Sequence, residues 1–342
     1  MSGLVQADAV ELPVADDSVD LVVTSPPYFA LRSYQDDGDH YDGQIGSEAT
    51  PAEFLDALWA VTAECVRVLK PSGSLWVNLG DKYAGSAGWC NNEKSALSST
   101  IRGAGPGHQQ RTNAHRTPKT PVTTIRPKSL MGLPWRYAIG CIDDLGLILR
   151  AEVVWSKPNG LPESVTDRVR RSHEQWFHFT LEPRYFSALD EIREPQKGNL
   201  LPIADRGLRG ARLGALTRSE MGRSTRQEWG SNPRGKLPGS VWSIPSEPLK
   251  VPDELGVDHF AAFPQEWPRR LILGWCPPDG VVLDPFAGTG TVPMVARALG
   301  RIGIGVDLSA DYLRLARWRV FESGHASKTV ARTNGERQGL LL

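Results

Sequence analysis

The chain alternates short apolar runs with stretches of helical spacing. Val19 to Val23, Ser74 to Leu79, Leu147 to Trp155, Trp176 to Glu182, Val281 to Phe286 and Ile302 to Leu308 have strand length. Such runs suit strands covered on both faces. Between the first two, Phe54, Leu58, Val61, Cys65 and Leu69 recur at helical spacing and predict a helix over 51–69. Thr50 can cap it, Pro51 suits its first position and Glu53 completes a capping box. Lys70-Pro71-Ser72-Gly73 should end it. Further helices are predicted at 133–146, at 266–275, around TVPMVARALG (291–300) and in SADYLRLARWRVF (309–321). Residues 4–18 read as loop and a short helical turn.

Strand, helix and strand in that order predict parallel pairing, since a crossover helix returns the chain to the starting edge. The expected class is α/β: a mostly parallel twisted sheet flanked by helices, with a ligand site at the carboxyl ends of its strands. Residues 85–128 and 195–250 carry neither rhythm, and the last twenty residues, 323–342, are polar and read as a frayed tail.

Apolar residues form 40% of the chain, with 11 tryptophans, enough for a large core. No run of 18 apolar residues occurs and the N-terminus lacks a signal pattern, so a cytoplasmic protein with no membrane span is expected. Cys65, Cys90, Cys141 and Cys276 lie far apart without a CxxC, which fits a reducing compartment. The net charge is zero but unevenly spread. Residues 85–128 hold seven Lys/Arg against one acid, and residues 195–250 hold ten against four, a net of +6 each. Two solvated loops are one reading. Two basic, Gly- and Arg-rich segments on an acidic body point to a polyanion partner.

Two stretches carry candidate chemistry. VVLDPFAGTGT (281–291) is a strand, a loop with Gly288 and Gly290, and a helix, a form that lets the backbone approach a ligand. No Gly-Lys-Ser/Thr follows, and Pro293 stands where a third glycine of GxGxxG would be, so a dinucleotide is disfavoured. Asp307 ends the next strand, where an acidic side chain commonly holds a ribose hydroxyl pair. With Asp284 the pattern indicates an adenosine-type ligand. The second stretch is Ser25-Pro26-Pro27-Tyr28, where a strand ends in two prolines and a ring. For methylation of an exocyclic amine on a nucleobase, the Ser25 hydroxyl and the Pro26 carbonyl could each accept one N–H, freeing the nitrogen lone pair. Two fixed φ angles hold that carbonyl without reorganisation, and Tyr28 offers a flat face to an extruded base.

Those residues resemble the amino-methylating, S-adenosylmethionine-dependent DNA methyltransferases. TSPPY (24–28) is similar to their catalytic motif and DPFAGTGT (284–291) to their methionine-binding loop, in the order of the circularly permuted beta-type group. The resemblance implies a Rossmann-like fold with inserted basic DNA-recognition segments. It divides the chain into a catalytic half (1–84), a basic insert (85–128), a core continuation (129–194), a target-recognition region (195–257), a cofactor half (258–322) and the tail. It implies catalysis by Ser25, Pro26, Pro27 and Tyr28. It implies S-adenosylmethionine binding by Asp8, Ala9 and Thr24, by Phe260, Phe263 and Pro264 of HFAAFPQEW, by Asp284, Pro285, Phe286, Ala287, Gly288, Thr289, Gly290 and Thr291, and by Asp307 and Leu308. Arg111, Arg116, Arg206, Arg209, Arg212, Arg218, Arg223 and Arg226 would contact double-stranded DNA. A companion restriction endonuclease is implied, and the enzyme is expected as a monomer or homodimer.

Serine at position 25, where adenine-modifying relatives usually have Asp or Asn, points to cytosine N4, with adenine N6 as the alternative. A catalytically inactive DNA-binding relative is a second alternative. Amide-methylating relatives usually place the cofactor loop before an Asn-Pro-Pro-Tyr motif, the reverse of the order here. Cytosine C5 chemistry needs a cysteine nucleophile, and Cys276, the one beside a proline, reads as core. No metal-ligand spacing occurs. Trp155, Trp176, Trp229, Trp242 and Trp267 read as core aromatics.

Overall fold

The computed structural model describes residues 2–30, 35–36, 39–40, 44–85, 124–160, 162–195, 232, 234–249, 251, 255 and 262–323. Its main sheet contains β1 (Gly3–Gln6), β2 (Val19–Thr24), β5 (Leu69–Leu79), β6 (Ile148–Ser156), β7 (His173–Thr180), β8 (Val241–Ser243), β9 (Val281–Asp284) and β10 (Ile302–Asp307). Two-residue strands β3 (Gln35–Asp36) and β4 (Asp39–His40) pair separately. The order across the main sheet is β1-β10-β9-β2-β5-β7-β6-β8. Only β7 runs against its neighbours. The two strands nearest the C-terminus therefore sit between β1 and β2, as a circular permutation requires. The fold is the Rossmann-like α/β type.

Helices cover both faces. Val19, Val22, Leu75, Val77, Phe177 and Phe179 pack toward α1 (Pro51–Val68) and α2 (Leu133–Asp143). Leu21, Val23, Trp76 and Trp176 pack toward α3 (Glu266–Trp275) and α4 (Thr291–Ala298). Every residue of β2 is buried, as a central parallel strand demands. α1 starts on its capping box: Glu53 N donates to Thr50 Oγ1 at 3.2 Å and Thr50 N to Glu53 Oε2 at 2.9 Å.

Several expectations change. The four residues Gly3–Gln6 form a strand, not a loop, paired with Ile304–Asp307 from the far end of the chain. Lys70–Gly73 does not separate helix from strand. β5 begins at Leu69, and its register with β2 shifts between Val19 and Leu21. Asp20 pins the irregularity, since both its carboxylate oxygens accept from Lys70 Nζ at 2.9 Å and one accepts from Val281 N at 2.8 Å. α2 stops at Asp143, and α5 (Ala310–Arg317) passes into a π-helical turn, Trp318–Glu322. β8, from the region expected to be irregular, joins the main sheet beside β6. Residues 86–123, 196–231 and 324–342 lie outside the described residues.

The tryptophan expectation holds for four of the five. Trp267 stacks on Trp176 at 4.7 Å and on Trp242 at 4.9 Å, and Trp155 meets its edge at 5.8 Å. All four are buried. Trp229 lies outside the described residues.

Candidate active site

β2 and β9 are adjacent and parallel, with Leu21 opposite Val282 and Val22 opposite Leu283. Their carboxyl ends emerge side by side, so Ser25 and Pro285 leave the sheet together. Thr24 Oγ1 donates to Asp284 Oδ1 at 2.8 Å beneath them, and Phe286 N donates to the same oxygen at 3.1 Å. Burial pushes the Asp284 carboxyl up to about 7 against those donors.

Above this junction lies a cleft of about 860 Å³, counted out to its mouth. One wall is Ser25 and Pro27. The opposite wall is the 285–289 turn with Thr291. Asp8 and Ala9, Phe263, and Asp307 with Leu308 complete the expected lining. Thr24 and Asp284 form the floor without lining it. Pro26 faces a smaller cavity under the turn. Pro264 is buried at the start of α3, where its carbonyl accepts from Trp267 N at 3.1 Å. Gly290 supports the turn from behind. Its φ is +72°, and a Cβ there would come within 2.9 Å of Ala316 Cβ. Phe260, Arg111, Arg116 and all six arginines from 206 to 226 lie outside the described residues.

The helix–strand approach that a third glycine would permit at position 293 is supplied from the facing strand. A Cβ on Gly303 would lie 2.6 Å from Pro293 Cα, and one on Gly305 would lie 2.8 Å from Ala287 Cβ. Asp307 holds the turn itself, its Oδ2 accepting from Gly288 N at 2.8 Å and its Oδ1 from Ser309 N at 3.0 Å.

Sequence reasoning missed several polar residues. Asn78, at the end of β5, accepts from Ser25 Oγ at 3.3 Å and has the Tyr28 hydroxyl at 2.9 Å, while its amide donates to Gln175 O at 3.1 Å. Glu174 also accepts from the Tyr28 hydroxyl, at 2.9 Å, and pairs with Lys157. Gly80 backs the Tyr28 ring so closely that a Cβ would lie 2.6 Å from Cε2. Gln44 and Ile45 add an unexpected wall to the cleft, held over Tyr28 by Ala30 N donating to Gly46 O at 2.7 Å. Arg319 is buried behind Thr289 and Thr291, with Nη1 donating to both hydroxyls at 2.7 Å. Burial lowers its pKa to about 10, and its Nε has no partner.

The profile of the N6/N4 methyltransferase family, described as DNA methylase, matches residues 19–317. The chain belongs to this family. The type II methyltransferase M.XycI of Xanthomonas campestris pv. cyanopsidis is 36% identical over 324 residues, covering 93% of this chain and 87% of the relative. M.SmaI of Serratia marcescens is 32% identical over 320 residues, covering 93% and 90%. Among solved structures, the PvuII DNA methyltransferase (cytosine-N4-specific) aligns with a TM-score of 0.60 at 18% identity over 98% of this chain and 93% of that one. At that identity it shows the fold alone.

The methyl donor of this family is S-adenosylmethionine. The cleft suits such a ligand. The carboxylates of Asp8 and Asp307 can accept from hydroxyl and amino groups, and Phe263, Phe286 and Ala287 supply apolar surface. Thr289 and Thr291, whose lone pairs receive the Arg319 protons, keep their own O–H groups for an anionic end beside the start of α4. The described thiols are not candidates for C5 chemistry. Burial pushes Cys276 and Cys141 up to about 12 and raises Cys65 further. Among the described residues, no helix is long and apolar enough to cross a membrane.

Proposed function

We propose that this enzyme transfers a methyl group to the N4 amino nitrogen of cytosine in a specific sequence of double-stranded DNA. The observation that carries this reading is the orientation of Ser25. Its hydroxyl proton is directed to Asn78 Oδ1, so its lone pairs remain as acceptors on the wall of the cleft. A carboxylate at this position would be a base; a hydroxyl polarises an amine.

S-adenosylmethionine supplies the methyl electrophile when bound. The rest is the work of the chain. Asp8, Phe263, the 285–291 turn and Asp307 hold the donor. Ser25 Oγ and the Pro26 carbonyl each accept one N–H of the target amine, drawing the nitrogen toward a tetrahedral form. Pro26 and Pro27 fix these acceptors in advance, which lowers the reorganisation needed at the reacting centre. The target base leaves the duplex to reach them, and Tyr28 receives it. Alignment of the two reactants can lower the barrier by up to roughly 7–11 kcal/mol. No covalent enzyme intermediate is required.

The type II relatives support double-stranded DNA as substrate and a companion restriction endonuclease as partner, in the cytoplasm of a bacterial cell. The segments 85–128 and 195–257 would grip the DNA.

Amplified DNA in which N4-methylcytosine replaces all cytosine tests the choice of base. It should accept no label from S-adenosylmethionine, whereas DNA made with N6-methyladenine should accept it normally. The reverse pattern would assign the enzyme to adenine.

A further inference from the structure

The loop from Lys157 to His173 lies beside the catalytic network but has no part in the chemistry above. Its tip, Val169, is the most exposed large hydrophobic side chain among the described residues, at 87%, against 64% for the next, Val241. An exposed valine is ordinary; its mounting is not. Lys157 N donates to Ser172 O at 2.9 Å and closes the base of the loop. Arg168 stacks on Tyr83, 3.9 Å from the ring centroid, and its Nη1 donates to Glu163 Oε2 at 2.7 Å and to Val169 O at 3.0 Å. On the other side Arg170 Nη1 donates to Gly160 O at 2.7 Å, and Arg171 lies 3.6 Å from Asp81. The backbone on either side of Val169 is thus pinned while its side chain projects into solvent. Lys157, Arg168, Arg170 and Arg171 against Glu163 and Asp167 leave the loop with a net charge of +2. Its foot reaches the site, since Lys157 pairs with Glu174, which accepts from the Tyr28 hydroxyl.

We propose that Val169 is a wedge that enters the DNA base stack and occupies the space vacated by the extruded target base, with the adjacent arginines against the flanking phosphates. This rests on the base-flipping reading above. Extrusion leaves a gap whose faces have lost their stacking partner. An apolar side chain on a rigid cationic mount covers those faces and slows the return of the base. A loop that needed ordering first would lose part of that gain to entropy.

The test is single-turnover methylation by wild type and Val169→Ala on two duplexes carrying the sequence that the enzyme modifies. One is perfectly paired, and the other places an abasic site opposite the target, which makes extrusion easy. The wedge predicts a loss of about tenfold or more for the variant on the paired duplex and a rate within about twofold of wild type on the abasic one, with cofactor affinity unchanged. Equal rates on the paired duplex, or equal losses on both, would overturn it. A wild-type enzyme that methylates no duplex would instead overturn the DNA-methylation reading, and the wedge with it.

Discussion

The Thr24 hydroxyl donates to the Asp284 carboxylate at 2.8 Å, joining residues 260 positions apart. One belongs to the strand that delivers Ser25 and the other to the strand that delivers the glycine turn. Their bond ties the two halves of the cleft where each leaves the sheet, and it predicts the first outcome. Thr24→Val removes the hydroxyl and leaves a buried carboxylate short of a donor, which should cost about 1–3 kcal/mol in denaturant unfolding. Cofactor affinity should fall in the same variant, measured by calorimetric titration. A variant as stable as wild type would show that the bond does not couple the two strands.

The pH dependence of stability follows from the same pair. Burial holds the folded-state pKa of Asp284 at about 7, above the ordinary 3.8. The folded protein therefore keeps a proton that the unfolded chain releases. The stability this contributes is complete below 3.8 and is lost as pH rises through about 7. Asp284→Asn should flatten the decline in Tm between about pH 5 and 8. Buried His178 runs the other way. Desolvation lowers it from 6.5 to about 3, so its contribution is complete above 6.5 and lost as pH falls through 3. His178→Gln should flatten the acid limb alone.

Ser25→Ala should separate catalysis from binding. The hydroxyl acts on the acceptor amine, not on the cofactor. Turnover should fall by about 10²–10³-fold, while cofactor affinity stays within about twofold. Equal losses in both would move Ser25 from the reacting centre to the cofactor pocket.

Gly80→Ala tests the seat of Tyr28. The new methyl would come within 2.6 Å of ring atom Cε2. The ring has little room to retreat, because its hydroxyl is held at 2.9 Å from both Asn78 and Glu174. The variant should keep cofactor binding and lose more than about tenfold in turnover. Tyr28→Phe, which removes only the hydroxyl, should be milder.

The parts of the fold that could be read in the sequence are those where one local rule decides. β2, β9 and β10 are apolar runs with no other home than the middle of a sheet, and α1 announces itself through Thr50 and Glu53. The two motifs of the cleft were legible because prolines and glycines leave few backbone options. β1 was not: Gly3–Gln6 is half exposed, and only pairing with a strand at the other end of the chain makes it extended. The missing third glycine misled for a similar reason. Close packing needs one small residue per contact, and here Gly303 and Gly305 provide it from the strand opposite Pro293 and Ala287. Asn78, Glu174, Gln44 and Arg319 carry no local signature. An asparagine at the end of a strand becomes a Ser25 partner only once β5 lies beside β2.

The most direct test of the central claim is to treat DNA with the enzyme and S-adenosylmethionine, digest it to nucleosides and identify the modified one by mass, for wild type and for Ser25→Ala. The account predicts N4-methyldeoxycytidine from the wild type and about a hundredfold less of it from the variant. N6-methyldeoxyadenosine, 5-methyldeoxycytidine or undiminished product from the variant would contradict it.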